Sequence, residues 1–331
     1  MDRTAELIIA VERALRAPSV HNTQPWRWRV DAEADAVQLH ADWTRHLVAT
    51  DPDRRDLVLS CGAALHHLLV ALAARGLDAA VDRLPDPDDT GHLATVTLRP
   101  GAGLAADPAL QRAIDRRRTD RRRMSHRPVP LEHLRLLDEH ARRAGAVLIP
   151  VTDPAMRQRL EAALADAATR QDWTPGYPTE LELWTRRYAG ARDGVPAGNI
   201  APPLVGAVSA APLRQFPRGQ LDQPRRVPGQ EAGVDASELL VISTAGDDVA
   251  DRLRAGEATS AVLLAATTLG LASTPLSQAV EVDATRHALQ RDVLHIPEQP
   301  QIVLRIGWPA TQAAEIPATP RRDLRSVLLT R

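Results

Sequence analysis

The sequence predicts an α+β fold laid out twice in one chain, as two pseudo-symmetric halves forming a dimer-like core. Helical runs are interspersed with short strands in adjacent pairs, the pattern of hairpins rather than of strict strand-helix-strand crossovers. A helix rich in small residues recurs in the second half between the same two bracketing glycines. With 331 residues, 44% of them hydrophobic and 25% charged, the chain can bury a large core and has room for two domains.

In the first half, Leu7, Ile8, Val11, Ala14 and Leu15 have helical spacing over Thr4 to Leu15, and Pro18 stops that helix. Trp26, Trp28 and Val30 alternate with Arg27 and Arg29 as in a strand, and Ala36 to His40 reads as its partner. A helix over Arg54 to Arg75 follows, then strands over Ala79 to Leu84 and Ala94 to Arg99. The second half opens with a helix near Pro108. It continues with helices over Leu131 to Arg143, Pro178 to Tyr188 and Asp248 to Leu269, and with a strand over Gln301 to Gly307. From about Gly190 to Asp235 prolines and glycines abound and periodicity is lost. A loop of that length inside a compact domain is a lid, a binding loop or disordered, and the well-patterned helices on either side favour a lid. Trp184 and Tyr188, four apart, share a helix face on which it is expected to anchor. The expected domains are 1–105 and 106–331, the second carrying the lid insertion at about 190–235.

The repeat is visible within the chain itself. Gly62 to Leu77 lies on Gly256 to Leu271 without a gap, with identities at Gly62/Gly256, Ala64/Ala258, Leu69/Leu263, Ala71/Ala265, Gly76/Gly270 and Leu77/Leu271. Each copy is a helix ending at a glycine in the position that favours a left-handed residue. Thr4 to Arg16 matches the apolar spacing of Leu131 to Arg143, and Ala94 to Arg99 pairs with Gln301 to Gly307. Alanine-rich helices resemble one another by chance, but three elements in the same order point to duplication.

Composition narrows the function classes. The formal net charge of -1 gives no global attraction to nucleic acid or membrane. All 41 basic residues are arginine, which excludes Schiff-base chemistry through a lysine. Cys61 is the single cysteine, so intramolecular disulfides are excluded and the residue is expected in the core of the Leu57 to Ala73 helix. His66-His67 and the pair His133/His140 lack acidic or cysteine ligands at usual spacings, so no metal site is expected. The amino terminus is charged and lacks a signal-peptide core, and no uninterrupted apolar stretch reads as membrane-spanning, so the expected location is cytoplasmic with no membrane partner.

Two segments carry chemistry. Ala17 to Trp28 packs turn formers and amide donors between a helix and a strand, where Ser19, Asn22 and the surrounding backbone N–H groups can face a planar, carbonyl-rich ligand. A locally capped turn is the competing reading, since Ser, Asn and Pro dominate turns for local reasons. His21 reads as a hydrogen-bonding turn residue. Further on, Arg116-Arg117-Arg118-Thr119-Asp120-Arg121-Arg122-Arg123 concentrates guanidinium groups that are costly to hold together without an anion such as phosphate or carboxylate. A solvated basic face is the bland reading. A nucleic-acid patch lacks interleaved aromatic residues.

Pro18-Ser19-Val20-His21-Asn22-Thr23-Gln24-Pro25-Trp26 resembles the segment Pro-Ser-x-x-Asn-x-Gln-Pro-Trp that closes over FMN in the nitroreductase family, with no departure. The whole chain is most similar to the Acg-type subgroup, which carries two nitroreductase-like halves in one polypeptide. The resemblance implies a nitroreductase-like fold and FMN as cofactor. It implies that Pro18, Ser19, Val20, Asn22 and Gln24 contact the flavin. Arg117 and Arg118 then fall on the family's phosphate-binding basic pair, Thr119 on its hydroxyl position, and Arg121 beside the flavin pyrimidine ring. Leu276, Ser277 and Gln278 fall on the loop whose backbone approaches flavin N5, where the family often has Glu-Gly in place of Ser277-Gln278. Arg321 corresponds to the family's last phosphate-binding arginine in preference to Arg322.

The parts supplied by two subunits in homodimeric relatives here come from the two halves of one chain, so a single chain suffices and one FMN per chain is expected. The reciprocal site has lost its parts, since Arg143 to Val147 carries no Ser, Asn, Gln or Trp. The implied activity is ping-pong transfer from NADH or NADPH through FMN to a small conjugated acceptor, nitro, quinone or similar, with no obligatory protein acid or base. The other function implied is flavin sequestration beneath the lid without turnover.

Overall fold

The computed structural model describes residues 2–102, 107–188, 190–202, 212–224, 235–310 and 313–329. Helix α1 (Arg3–Ala14) starts at Asp2, whose carboxylate accepts from the Thr4 and Ala5 N–H groups, and it buries Leu7, Ala10, Val11 and Ala14. There follow β1 (Trp26–Asp31), β2 (Ala36–Ala41), α2 (Arg55–Ala74), β3 (Leu77–Arg83) and β4 (His92–Ala102). The four strands form one antiparallel sheet in the order β1-β2-β4-β3.

After α3 (Pro108–Arg116), the second half runs α4 (Leu131–Arg143), β5 (Val147–Pro150), α5 (Pro154–Asp172), α6 (Tyr177–Thr185), β6 (Glu238–Thr244) and α7 (Val249–Thr268). It ends with β7 (Ala272–Leu276), α8 (Gln278–Glu281), α9 (Asp283–Ala288), β8 (Gln299–Gly307) and α10 (Leu324–Val327). Its sheet has the order β5-β6-β8-β7, the same topology as the first. The registers match as well: Ala79 opposes Leu98 as Ser273 opposes Ile306, and Val81 opposes Val96 as Pro275 opposes Leu304. The duplicated α+β fold read from the sequence is the fold of the molecule.

The two halves meet where α2 crosses α7, at the repeated glycines. A Cβ on Gly62 would sit 2.0 Å from the Leu253 carbonyl oxygen, and one on Gly256 would sit 2.0 Å from that of Leu59. Only glycine lets the backbones approach this closely. Helix α2 is long and apolar enough to cross a membrane, contrary to the reading of the sequence; most of it is buried in the core. Cys61 lies within it, buried, with its Sγ 3.2 Å from the Pro25 carbonyl oxygen. The chain then returns to the first half, where Leu329 N–H donates to the Trp28 carbonyl at 2.7 Å.

Several expectations need correcting. The insertion between β5 and β6 begins directly after β5 rather than near residue 190, and it contains α5 and α6. The expected boundary at 105/106 and parts of the lid, 203–211 and 225–234, lie outside the described residues. Helix α6 stops at Thr185, so Tyr188 is off the helix and 73% exposed. It does not share an anchoring face with Trp184. Of the three residues placed on a loop by the resemblance, Leu276 is the last residue of strand β7 and Gln278 opens α8; Pro275 fits in that strand because it lies at the sheet edge, where its missing N–H costs no ladder bond.

Candidate functional site

The loop after α1 is held in an unusual backbone conformation. His21, Asn22 and Gln24 all have left-handed φ angles of 45°, 55° and 53°, which cost non-glycine residues about 1–2 kcal/mol each. Hydrogen bonds over-determine the shape. Ser19 Oγ accepts from Gln24 N–H at 2.9 Å, and Asn22 Nδ2 donates to the Gly194 carbonyl at 2.9 Å and the Pro320 carbonyl at 3.1 Å. Asn22 Oδ1 accepts from Arg321 Nη1 at 3.0 Å, so a residue of the first half orients an arginine of the last segment.

Gln24 is the one predicted site residue that does not line the cleft. Its amide turns inward, donating to the Arg192 carbonyl at 2.8 Å and accepting from Arg322 N–H at 2.8 Å. The left-handed backbone makes it a brace of the loop.

The arginine-rich segment runs alongside β7. Thr119 bridges Ser273 in parallel, Asp120 N–H donates to the Ser273 carbonyl at 2.9 Å, and Thr274 Oγ1 donates to the Asp120 carbonyl at 2.6 Å. This placement splits the guanidinium groups. Arg116 is exposed and Arg122 forms a buried pair with Asp120 at 2.9 Å, whereas Arg117, Arg118 and Arg121 turn into a cleft.

One end of that cleft, about 480 Å³ of empty space, is lined by Pro18, Ser19, Asn22, Arg117, Arg118 and Arg321 among others. Arg117 is buried, and its Nε and Nη1 have no partner among the described residues; Arg321 Nε has none either. Burial, then Arg118, lowers Arg117 to about 10; burial, then Arg117, Arg16 and Arg118, lowers Arg321 to about 9. Arg322, by contrast, is satisfied within the protein by Asp42 and the Gln24 carbonyl.

The other end shares Pro18, Ser19, His21, Thr119 and Arg121 and has about 800 Å³ of empty space, open solvent included. Val20, Leu276, Ser277 and Gln278 line it, as do residues not singled out in the sequence: Asp56, Leu59, Arg214 and Phe216. Phe216 comes from the insertion and meets His21 edge-on, ring centroids 5.5 Å apart, while the Arg121 guanidinium lies 4.7 Å over its ring. His21 makes no hydrogen bond among the described residues, contrary to its reading as a hydrogen-bonding turn residue, and burial, then Arg214, lowers it to about 3. Phe216 had one signal in the sequence, as the single phenylalanine of the chain.

No protein-family model matches the chain. A Mycobacterium tuberculosis protein named "Putative NAD(P)H nitroreductase Rv3131" is 44% identical over 315 residues, covering 95% of this chain and 88% of that protein. Another from that organism, "Putative NAD(P)H nitroreductase acg", is 37% identical over 336 residues, covering 97% of this chain and 95% of that one. The chain belongs to the Acg-type nitroreductase family. Among solved structures, the FMN-dependent nitroreductase NfnB from Mycobacterium smegmatis in complex with NADPH is similar at 18% identity and a TM-score of 0.41, over 67% of this chain and 97% of that one.

For this member of the Acg-type family, the pseudo-symmetric counterpart of the cleft is also visible. It is a separate cavity lined by Arg143, Ala144, Gly145, Arg83 and Glu257 among others. The ungapped repeat sets Glu257 where the first cleft has Ala63, and the matching strand registers set Arg83 where it has Ser277. Arg83 and Glu257 form a bidentate pair, both bonds at 2.8 Å, across that place. Among the described residues no group of histidine, cysteine and acidic side chains has the arrangement of a metal site.

Proposed function

We propose that this chain is an FMN-dependent NAD(P)H oxidoreductase of nitroreductase type that holds one FMN in the first cleft and reduces a conjugated acceptor, nitro, quinone or similar, by a ping-pong cycle. The observation that carries the reading is the buried, incompletely partnered guanidinium group of Arg117 beside the half-buried Arg321, whose Nε has no partner among the described residues, at one end of a cleft whose other end has apolar walls. Such groups are costly without an anion, and a phosphate ester joined to a planar ring matches both ends.

In this reading Arg117, Arg118 and Arg321 hold the phosphate, with Asn22 fixing the orientation of Arg321. Pro18, Ser19, Val20, Thr119, Leu276, Ser277 and Gln278 form the walls around the ring. The Arg121 guanidinium favours negative charge on the adjoining part of the ring, and Phe216 with His21 excludes water from the cleft. When bound, the flavin supplies the hydride and electron transfer chemistry that no side chain of this protein has. Because the Pro18 to Asn22 segment and the arginines come from different halves, one chain completes the site. The Arg83–Glu257 pair across the counterpart cavity supports a single flavin per chain.

Phe216 also favours a second reading, in which flavin is sequestered under the insertion without turnover. Anaerobic stopped-flow mixing of the FMN-loaded chain with NADH or NADPH separates the two. Bleaching of the flavin absorbance supports the oxidoreductase, and an unbleached flavin supports sequestration.

A further inference from the structure

We propose that the counterpart cavity is a ligand site in its own right, one that takes a small organic anion, a carboxylate or phosphate group on an apolar body smaller than a flavin. The proposal goes beyond the oxidoreductase reading and does not depend on it.

The cavity has about 990 Å³ of empty space, open solvent included. Helix α7 contributes Arg254 and Glu257, and the ungapped repeat, run two residues further back, sets Arg254 where the first cleft has Ser60. The loop after α4 stands where the first cleft has the loop after α1. Gly145 in that loop has a φ of 83°, and a Cβ on it would lie 3.3 Å from Arg254 Cδ, so the missing side chain lets the arginine stem lie across the loop. The Arg83–Glu257 pair crosses the end that matches the ring end of the first cleft, which bars a flavin-sized ring system and leaves the rest of the cavity open. Leu69, Leu110 and Ala261 give that remainder an apolar wall.

An inventory of donors and acceptors shows what the cavity fits. Glu257 is the one carboxylate among the described lining residues, and both its oxygens accept from Arg83 at 2.8 Å. The donors are free. The Arg254 guanidinium lies 3.8 Å from Asp251, beyond hydrogen-bonding distance, and Arg143 reaches Glu139 only at 3.5 Å, with both side chains more than half exposed. Ion pairs of this kind are weak and leave a guanidinium available to a ligand.

His66 adds a third donor, and its tautomer is fixed by its neighbours. Nδ1 of His66 and Nδ1 of His67 each lie 2.8 Å from Ser260 Oγ, and His67 Nδ1 also lies 3.1 Å from the Ala63 carbonyl oxygen. A carbonyl only accepts, so the His67 proton is on Nδ1 and the Ser260 hydroxyl donates to His66 Nδ1. The His66 proton is therefore on Nε2, which has no partner among the described residues. A cavity with free N–H donors and a committed acceptor matches a ligand whose oxygens only accept.

The histidines carry the same signature. Burial, then His140, lowers His66 to about 4; burial, then Arg143, lowers His140, with Glu139 and Asp107 opposing. Both are neutral imidazoles beside Arg143, Arg254 and the internally compensated Arg83–Glu257 pair, so an anion bound among them raises both.

The test titrates phenyl phosphate and benzoate, with benzyl alcohol as the neutral control, into the chain with and without FMN. The imidazole carbon-bound proton resonances of His66 and His140, assigned with His66→Gln and His140→Gln, report on this cavity alone. Saturating shifts of both are expected with at least one anion and not with the alcohol, and the stronger anion tells phosphate from carboxylate. Arg254→Gln and Arg143→Gln are each expected to weaken that binding about tenfold, the loss of one charge-assisted hydrogen bond. No shift with either anion at about 10 mM, an equal response to benzyl alcohol, or unchanged binding in both variants overturns the proposal. Shifts that vanish when FMN is loaded place the anion in the first cleft and overturn it as well. The expected shifts in a chain that binds no FMN support this site and overturn the flavin reading alone.

Discussion

Arg117 is expected to weaken the flavin-free protein in order to bind phosphate, so Arg117→Met should move stability and affinity in opposite directions. Burial and the neighbouring Arg118 bring its guanidinium down from the ordinary arginine range to about 10. At about 1.4 kcal/mol per pH unit, that lowering is a penalty on the order of 3 kcal/mol for carrying the charge at pH 7. The sign follows from linkage: a base with a lowered folded value costs stability at every pH below about 10, and the cost is relieved only as pH rises from there toward the ordinary arginine range. Methionine fills much of the same volume without a charge, and replacements of buried ionic groups by apolar ones are neutral to stabilising by about 1–4 kcal/mol. The flavin-free variant should therefore unfold at a higher denaturant midpoint with unchanged slope. Its FMN affinity, read by flavin fluorescence, should fall by about 1.5–3 kcal/mol, the range for a charge-assisted hydrogen bond. A variant that is less stable and binds FMN as tightly as wild type would refute the reasoning.

Gly256→Ala places a methyl group 2.0 Å from the Leu59 carbonyl oxygen, so forcing α2 and α7 apart should cost about 1–3 kcal/mol or more; an unchanged denaturant midpoint would contradict it. Phe216→Ala should leave FMN bound but speed its reduction by dithionite, and an unchanged rate would mean that the insertion does not cover the cleft. Burial opposes the Asp247 charge, but hydrogen bonds from Arg55, Gln301 and Arg252 bring its carboxyl down to about 2. The stability from that pairing is complete above about pH 4, the ordinary carboxylate range, and is lost as pH falls toward 2. Asp247→Asn should accordingly be less stable at pH 7 and show a flatter acid-unfolding slope between those values.

Much of the fold was legible because its signals are local. The tryptophan alternation of β1, the apolar spacing of α1 and α4, and the repeated Gly62 and Gly256 each depend on near neighbours in the chain. Helix α5 was passed over because it buries only a thin stripe, Leu160, Leu164, Ala167 and Gln171, in an otherwise polar and alanine-rich run. The site divided in the same way. The turn residues Pro18 to Asn22 and the arginine run were visible as motifs, but Gln24 was misplaced because its role depends on a left-handed backbone angle. Asp56 reads in sequence as an ordinary acidic residue at a helix start. It lines the cleft only once α2, β7 and the insertion meet there. The guanidinium run looked like one anion site; the fold pairs Arg122 with Asp120 and leaves Arg117 and Arg118 with Arg321, about two hundred residues away.

The central claim is that a single cleft holds one FMN by its phosphate, and equilibrium titration of the flavin-free chain with FMN and, separately, with riboflavin tests it most directly. The account predicts saturation at one FMN per chain, unchanged in a strictly monomeric preparation, with riboflavin bound at least tenfold more weakly because it lacks the charge for Arg117 and Arg321. Saturation at two FMN per chain, or equal affinity for riboflavin, would contradict it.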